Sequence, residues 1–199
     1  PRIFYPSKYV CRPLTTKEWK WNPENQGLYV IIHGLLGTPR TTPYSIANAI
    51  DAKSPNRFEI KLPRVPYRGN RDLAVCSEPI LDMVKSYIAE NPNKPIHLIG
   101  TSNGARIVSY METRLRDQPV TIRVTSIAGA YYGSRILNQL NKYAGPVTGL
   151  ILSRDLRKNL SVGSDECKDL ILEMQKPVNI GTRIYEFYGT ANDWYIPVS

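Results

Sequence analysis

A five-residue turn in the middle of the chain constrains the fold more than any other feature. Residues 100–104 read Gly-Thr-Ser-Asn-Gly, in the pattern Gly-x-Ser-x-Gly. The short apolar run 95–99 before the turn is typical of a buried strand. Apolar residues recur at helical spacing after it, beginning with Ile107 and Val108. A serine protrudes from such a strand-to-helix turn when the positions two residues away on either side lack side chains that would collide. The pattern therefore predicts that Ser102 is an exposed nucleophile.

Strand and helix patterns alternate along the rest of the chain, and this alternation predicts the architecture. The dense apolar run 28–32 is typical of a parallel strand covered on both faces, whereas 57–62 alternates as an edge strand does. Further strands are predicted at 120–127 and 183–188, with helices at 43–52 and 79–90 and a loop at 63–70. We predict an α/β fold with a doubly wound, mostly parallel sheet, in a single domain spanning 1–199.

Residues 129–176 form an insertion that is longer than a minimal crossover between the last two predicted strands. The stretch is rich in leucine and tyrosine. It is either a lid or pocket wall at the carboxyl edge of the sheet, or a peripheral helix pair that caps the sheet. Within it, Ser164, Asp165 and Glu166 predict the start of a helix, where a hydroxyl caps the backbone and acids complement the dipole.

A second small-residue loop, His-Gly-Leu-Leu-Gly at residues 33–37, follows the first dense strand. Acyl transfer by a serine needs two backbone N–H groups that stabilise the developing oxyanion. The amides of Leu35 and Asn103 are our candidates, with His33 and Gly34 as supporting residues that let the backbone approach a substrate. The alternative is a glycine-rich turn that only ends a strand. The glycine spacing matches neither of the patterns that bind nucleotide phosphates, Gly-x-x-x-x-Gly-Lys-Ser/Thr and Gly-x-Gly-x-x-Gly, which argues against a nucleotide site.

The acid of a catalytic triad is predicted at Asp193. It follows the last predicted strand, so that serine precedes aspartate in the chain as this arrangement requires. Three other aspartates compete for the role in the insertion: Asp155, Asp165 and Asp169.

The chain has two histidines, and neither is well placed to be the base. His33 belongs to the glycine loop. His97 lies in the strand five residues before the serine, where we expect a partly buried, hydrogen-bonded side chain. We therefore expect the catalytic histidine, together with a C-terminal strand and helix, to lie beyond Ser199; the alternative is a protein that never had them.

Cysteine usage and charge limit the remaining classes of function. Cys11, Cys76 and Cys167 are widely spaced without clustered histidines, so we expect buried, inert thiols and neither a metal nor a cofactor. The net charge is +9, but the basic residues are scattered, with loose groups such as the arginines near residue 68. This pattern argues against nucleic-acid binding and leaves a weak attraction to anionic membrane surfaces.

The chain contains no signal segment and no apolar run near the roughly 20 residues that span a bilayer. This favours a cytoplasmic location, but the sequence begins at Pro1 rather than Met, so a removed leader and another compartment stay open.

These segments together resemble lipase- and esterase-like members of the α/β-hydrolase superfamily, over residues 27–199. Residues 33–34 resemble the oxyanion dipeptide of lipases, and residues 100–104 resemble their nucleophile elbow. Three other segments also resemble lipase sequences: 128–134 and 160–164 resemble Gly-Thr-Pro-His-x-Gly-Ser and Leu-Ser-Pro-Gly-Ser, and 189–197 resembles the acid loop. The chain departs from the pattern at Thr101, where lipases often have histidine, and at Tyr131–Tyr132, where they have Pro-His.

The resemblance implies a serine ester hydrolase that uses no cofactor or metal. Ser102 would attack lipid-like or aromatic esters, and Asp193 would orient the histidine. Two alternatives stay open: a non-catalytic binding protein with the same fold, and an acyltransferase or thioesterase that uses the same serine.

Overall fold

The computed structural model describes residues 24–134 and 152–189, which form five strands, five α-helices and one 3₁₀ turn. In chain order they are β1 (Leu28–Ile32), α1 (Thr42–Lys53), β2 (Glu59–Lys61), the 3₁₀ turn Pro66–Gly69, α2 (Leu73–Glu90), β3 (Ile96–Thr101), α3 (Asn103–Thr113), β4 (Thr121–Ile127), α4 (Arg154–Asn159), α5 (Asp165–Gln175) and β5 (Thr182–Tyr188).

The five strands form one sheet in the order β2-β1-β3-β4-β5, and every neighbouring pair is parallel. The chain runs outward from β1 to β2 and then returns to the other side of β1, so β1 and β3 are adjacent strands in the interior of the sheet. The predicted α/β class and the parallel sheet are confirmed. β2 is an edge strand, as its alternating sequence predicts.

Helices cover both faces of the sheet because alternate residues of the central strands point to opposite sides. Val30, Leu98 and Val124, which are neighbours across three strands, join the large core beneath α2 and α3. Ile31 and Ile99 point the other way and pack with Ala47 of α1. This double coverage holds the carboxyl ends of β1 and β3 side by side.

The predicted start of α2 is wrong. The helix begins at Leu73 rather than at Pro79, because the Asp72 carboxylate caps it by accepting the Val75 N–H at 2.9 Å. Pro79 lies inside the helix and has no N–H to give to the Val75 carbonyl. Val75 lies on the exposed side of α2, where water can take the place of that partner.

The described parts of the insertion contain α4 and α5. The turn between these two helices is hydrogen-bonded to residues 132–134, which follow β4. The Ser134 N–H donates to Leu160 O at 2.8 Å, and the Gly163 N–H donates to Tyr132 O at 3.3 Å. Ser164 caps α5 through its hydroxyl, as predicted. Residues 135–151 lie outside the described residues, so a lid at 129–176 remains a prediction.

Two of the three cysteines, Cys76 and Cys167, are buried free thiols, as predicted. Burial raises the pKa of the Cys76 thiol to about 12, which makes it a poor nucleophile. Cys11 lies outside the described residues. No helix in the described ranges has the length and apolar composition that crossing a membrane requires.

Candidate active site

The serine turn has an unusual backbone conformation. Ser102 follows directly after β3 with φ 53° and ψ −122°, a region that residues with side chains rarely adopt. Its N–H donates to Ile127 O at 2.9 Å, and its carbonyl accepts the Ala105 N–H at 3.0 Å as α3 begins. The turn is thus held from β4 on one side and by the helix on the other.

The two glycines of the pattern are there because neither position has room for a side chain. A Cβ on Gly100 would lie 2.3 Å from Gly104 O, within the first turn of α3. A Cβ on Gly104 would lie 2.5 Å from His33 O at the end of β1. The helix therefore packs backbone to backbone against both central strands, and this places the serine at their carboxyl edge.

The structure brings the 33–37 loop into contact with the serine. A Cβ on Gly34 would lie 3.2 Å from Ser102 Cβ and 3.7 Å from Ser102 Oγ. Gly34 O accepts the Gly37 N–H at 3.0 Å, which closes the loop into a tight turn. The Ser102 side chain therefore lies against the Gly34 main chain, where there is no side chain to cover it.

Two backbone amides in the glycine loop and the serine turn are unpaired within residues 24–134 and 152–189. These are the N–H groups of Leu35 and Asn103, the two predicted donors, for which no described residue provides an acceptor. Asn103 is the first residue of α3, and the first N–H groups of a helix have no partner inside it. Gly69 lies against both residues: a Cβ there would be 3.9 Å from Leu35 Cα and 3.4 Å from Asn103 Nδ2.

No protein-family model matches the chain, and no curated protein gives a significant sequence match. Solved structures are similar to it. Phospholipase PlaB from Legionella pneumophila, in complex with thio-NAD, aligns at 15% identity and a TM-score of 0.52, over 73% of this chain and 34% of that one. Bacillus licheniformis lipase BlEst2 aligns at 15% identity and a TM-score of 0.54, over 83% of this chain and 66% of that one. The chain has the α/β-hydrolase fold.

At these identities the similarity is one of fold. The chain spans about a third of PlaB and just under two thirds of BlEst2.

Within this fold the 3₁₀ turn Pro66–Gly69 holds the glycine loop, a role that the sequence did not predict. Arg68 O accepts the Leu36 N–H at 2.8 Å, and Arg68 Nε donates to Gly37 O at 3.3 Å. The Arg68 guanidinium also bonds to Leu36 O. Proline and glycine signals marked residues 63–70 as a loop, but nothing local identified which loop it would contact.

A buried ionic cluster fixes the residue after the serine. Arg106, the fourth residue of α3, is fully buried and donates through Nη1 to Asn103 Oδ1 at 3.0 Å. Its Nη2 lies 2.7 Å from Glu166 Oε2 and 3.4 Å from Asn159 O. Asn103 Nδ2 in turn donates to Gly69 O at 3.1 Å. The Asn103 side chain is therefore held from both sides.

Sequence reasoning missed this cluster and assigned Glu166 only to the start of α5. The Glu166 carboxylate does more, because Oε1 accepts the Leu73 N–H at the start of α2 at 3.3 Å. The available signal was an arginine one helical turn after the serine, on a face that is otherwise apolar and small.

His33 is fully engaged by the backbone. Its Nδ1 donates to Gly34 O at 2.8 Å and its Nε2 accepts the Val65 N–H at 3.4 Å, which assigns the neutral Nδ1–H tautomer. Burial lowers the pKa of His33, and Arg68 and Arg64 lower it further. His33 is thus a neutral support of the loop.

His97 lies on the α1 face of the sheet as a partly buried side chain. Its ring stacks on Tyr29 of the neighbouring strand, with centroids 4.4 Å apart. The hydrogen bond expected for this side chain is not found within residues 24–134 and 152–189. Burial lowers the pKa of His97, and Arg123 lowers it further. Within the described chain, neither histidine is bonded to Ser102.

The predicted acid, Asp193, lies outside the described residues, beyond the end of β5. The competing acids are all on helices: Asp155 is in the first turn of α4, Asp165 is in the first turn of α5, and Asp169 is exposed on α5. The Asp165 side chain is 92% exposed and pairs with Lys168 at 4.0 Å, a surface arrangement.

Proposed function

We propose that this protein is a serine ester hydrolase with Ser102 as the nucleophile. The observation that carries the proposal is the positive-φ Ser102 turn in contact with Gly34, together with the unpaired amides of Asn103 and Leu35, the residues that follow Ser102 and Gly34. Strained backbone persists only where the surroundings hold it, and it clusters at active sites. The resemblance of the fold to a phospholipase and a lipase supports the same assignment.

In the proposed reaction, Ser102 Oγ attacks the acyl carbonyl while a histidine removes the hydroxyl proton. The Leu35 and Asn103 amides stabilise the oxyanion. The imidazolium then gives its proton to the leaving alcohol, and water, deprotonated by the same histidine, releases the acid from the acyl-enzyme. Asp193 would orient that histidine. Because His33 and His97 are both engaged elsewhere, the proposal places the base outside residues 1–199.

The wall beside Leu35 supports an apolar acyl group. Leu35 and Leu36 pack against a small buried cluster at the two ends of the insertion, formed by Ala130, Leu152, Leu156 and Leu160. Pockets for ester substrates are lined mainly by such side chains, with a few polar groups at the reacting atoms. We therefore propose lipid-like or aromatic esters as substrates, with the insertion as pocket wall. The mechanism uses neither a cofactor nor a metal.

A fluorophosphonate probe tests the proposal, because it labels only an activated serine hydroxyl. The full-length protein should be labelled at Ser102 and should hydrolyse p-nitrophenyl butyrate. Ser102→Ala should abolish labelling and lower turnover by about 10⁴- to 10⁶-fold. Ser86→Ala is the matched control, since the Ser86 hydroxyl donates to Asp82 O on the exposed side of α2. Absence of labelling in the wild type, or labelling that survives Ser102→Ala, contradicts the proposal and favours a non-catalytic binding protein.

A further inference from the structure

A cavity of about 290 Å³ opens on the turn that supports the glycine loop. Its lining consists of Arg64, Val65, Tyr67, Arg68, Asn70 and Arg71. Three of these residues are arginines and none is acidic. The volume lies just below the range for small-molecule sites, roughly 300 to 1,000 Å³, and suits a small polar group rather than a whole lipid.

The three arginines have no compensating acid within the part of the chain that the structure describes. None of them lies within ion-pair distance of a described carboxylate. The adjacent acid, Asp72, is engaged as the cap of α2, where it accepts the Val75 N–H at 2.9 Å. Three like charges around one cavity repel one another, and an anion placed among them offsets that repulsion.

Two of the guanidinium groups are held in place before any ligand arrives. Arg68 is held by the carbonyls of Gly37 and Leu36. Arg71 donates to Asn70 O at 3.1 Å, and its guanidinium carbon lies 4.8 Å from the centroid of the Tyr67 ring. Groups that are already ordered lose little entropy when they bind a ligand. The turn also keeps Tyr67 and Arg68 at φ 51° and 55°, and strain of this kind clusters at ligand sites.

The cavity wall and the backbone beside Ser102 belong to one piece of structure. Arg68 O accepts the Leu36 N–H at 2.8 Å, and Gly69 O accepts Asn103 Nδ2 at 3.1 Å. The positive field of the cavity reaches the same loop, since Arg68 and Arg64 add to burial in lowering the pKa of His33. A group bound in the cavity would therefore lie next to the reacting centre.

We propose that this cavity binds an anionic group, a carboxylate or a phosphate, carried by the ester substrate. Arg68 already uses Nε and Nη2 on the carbonyls of the glycine loop. The guanidinium forks of Arg64 and Arg71 are therefore the ones that match the oxygen pairs of both groups in bidentate geometry. With the apolar wall at Leu35, this makes the substrate an ester with one apolar part and one anionic part. The assignment of the anion to the substrate rests on the proposed function.

The first test measures anion binding without any catalysis. Inorganic phosphate is titrated into the full-length protein by calorimetry, and the double variant Arg64→Gln/Arg71→Gln should bind it about tenfold more weakly or worse. The single variant Arg64→Gln alters only an exposed side chain, so it should fold normally. It still tests the site if the double variant misfolds. Arg68 is left intact because it holds the glycine loop. Added potassium chloride should weaken the binding.

Arg114→Gln is the matched control. Its guanidinium lies 4.7 Å from the centroid of Tyr110, the same arrangement as Arg71 on Tyr67, but outside the cavity lining. It should leave phosphate affinity unchanged. A wild type that does not bind phosphate, or an equal loss in Arg114→Gln, overturns the anion site.

The second test asks whether the anion belongs to the substrate. The p-nitrophenyl monoesters of dicarboxylic acids of increasing length are compared with neutral p-nitrophenyl esters of the same length. The best anionic ester should be preferred by the wild type, and the ratio of kcat/KM values should fall about tenfold in Arg64→Gln/Arg71→Gln. Phosphate binding with an unchanged ratio overturns the substrate assignment and points to a free anion. If Ser102 is never labelled, the proposed function fails, while the phosphate titration still decides the site.

Discussion

The two ends of α3 carry buried ionic clusters of similar chemistry in different surroundings. At the first end, Arg106 is fully buried and is joined to Asn103 and Glu166. At the last turn, Glu112 is fully buried and lies 3.2 Å from Arg116 Nη2. Arg183 Nε also lies 3.2 Å from Glu112, at an angle outside that of a hydrogen bond. The first cluster touches the residue after the serine, and the second ties the helix to β5.

In each cluster the central charge has the sign that the helix dipole disfavours. Arg106 lies near the positive end of α3 and Glu112 near the negative end, so each depends on its partners from other elements. Buried ion pairs add little net stability, but removing one partner is costly. The two ends therefore differ in what a loss should change. Losing the far cluster, around Glu112, should cost stability, whereas losing the near cluster, around Arg106, should also disturb Asn103, the residue after Ser102.

The largest expected effect is on stability at the far end. Glu112→Gln leaves Arg183 and Arg116 without their carboxylate, and should lower the free energy of unfolding by about 3–5 kcal/mol. Urea denaturation followed by circular dichroism measures this. Glu166→Gln should cost less, because the Glu166 side chain is 20% exposed. A larger loss in Glu166→Gln than in Glu112→Gln would reverse the comparison.

The second-largest expected effect is on the reactivity of Ser102, and it distinguishes the two ends of α3. Arg106→Lys keeps a charge but loses the planar fork that reaches both Asn103 and Glu166, so fluorophosphonate labelling of Ser102 should slow by about ten- to a hundredfold. Hydrogen exchange at residues 100–106 should rise as well, a readout that does not depend on catalysis.

Arg116→Lys at the far end is the control for this variant. It should change the labelling rate by less than about twofold, although it also disturbs a contact to buried Glu112. Equal slowing in both lysine variants would show that the near cluster has no special role.

A smaller effect is expected at two glycines with positive φ. Gly69 (φ +78°) and Gly163 (φ +73°) should each lose about 1–2 kcal/mol of unfolding free energy on change to alanine. Only Gly69→Ala should slow Ser102 labelling, severalfold, because its new Cβ would lie 3.4 Å from Asn103 Nδ2. A Cβ on Gly163 would have nothing within 4 Å. Equal labelling rates in both variants would contradict the contact.

The smallest expected effect is a loss of stability at acidic pH. Burial lowers the folded-state pKa of His33 and of His97 below the usual value, so the unfolded chain binds more protons in that range. Stability from this source is present above about pH 6.5 and is lost as the pH falls toward the lowered values. His33→Gln and His97→Gln should each reduce the loss of unfolding free energy between pH 7 and pH 5, measured with urea. A wild-type stability that does not fall on acidification would rule this out.

Much of the fold was predictable because its signals are local. The apolar runs that became β1 and β3 and the hydroxyl cap at Ser164 each depend on residues a few positions apart. The start of α2 was missed because the cap at Asp72 outweighed the proline signal at Pro79. The sequence also indicated which segments meet at the carboxyl edge of the sheet, where Gly34 lies in contact with Ser102. The catalytic roles of Ser102, Leu35 and Asn103 stay predictions.

By itself, the sequence determined the strand and helix pattern, the parallel sheet and the serine turn, since periodicity and glycine placement act over a few residues. The tertiary structure alone decided which loop holds the 33–37 turn and which acid meets Arg106. Glu166 is 60 residues from Arg106, and Arg68 is 32 from Leu36. Contacts at such distances depend on how the elements pack against the sheet, and no local pattern along the chain encodes that packing.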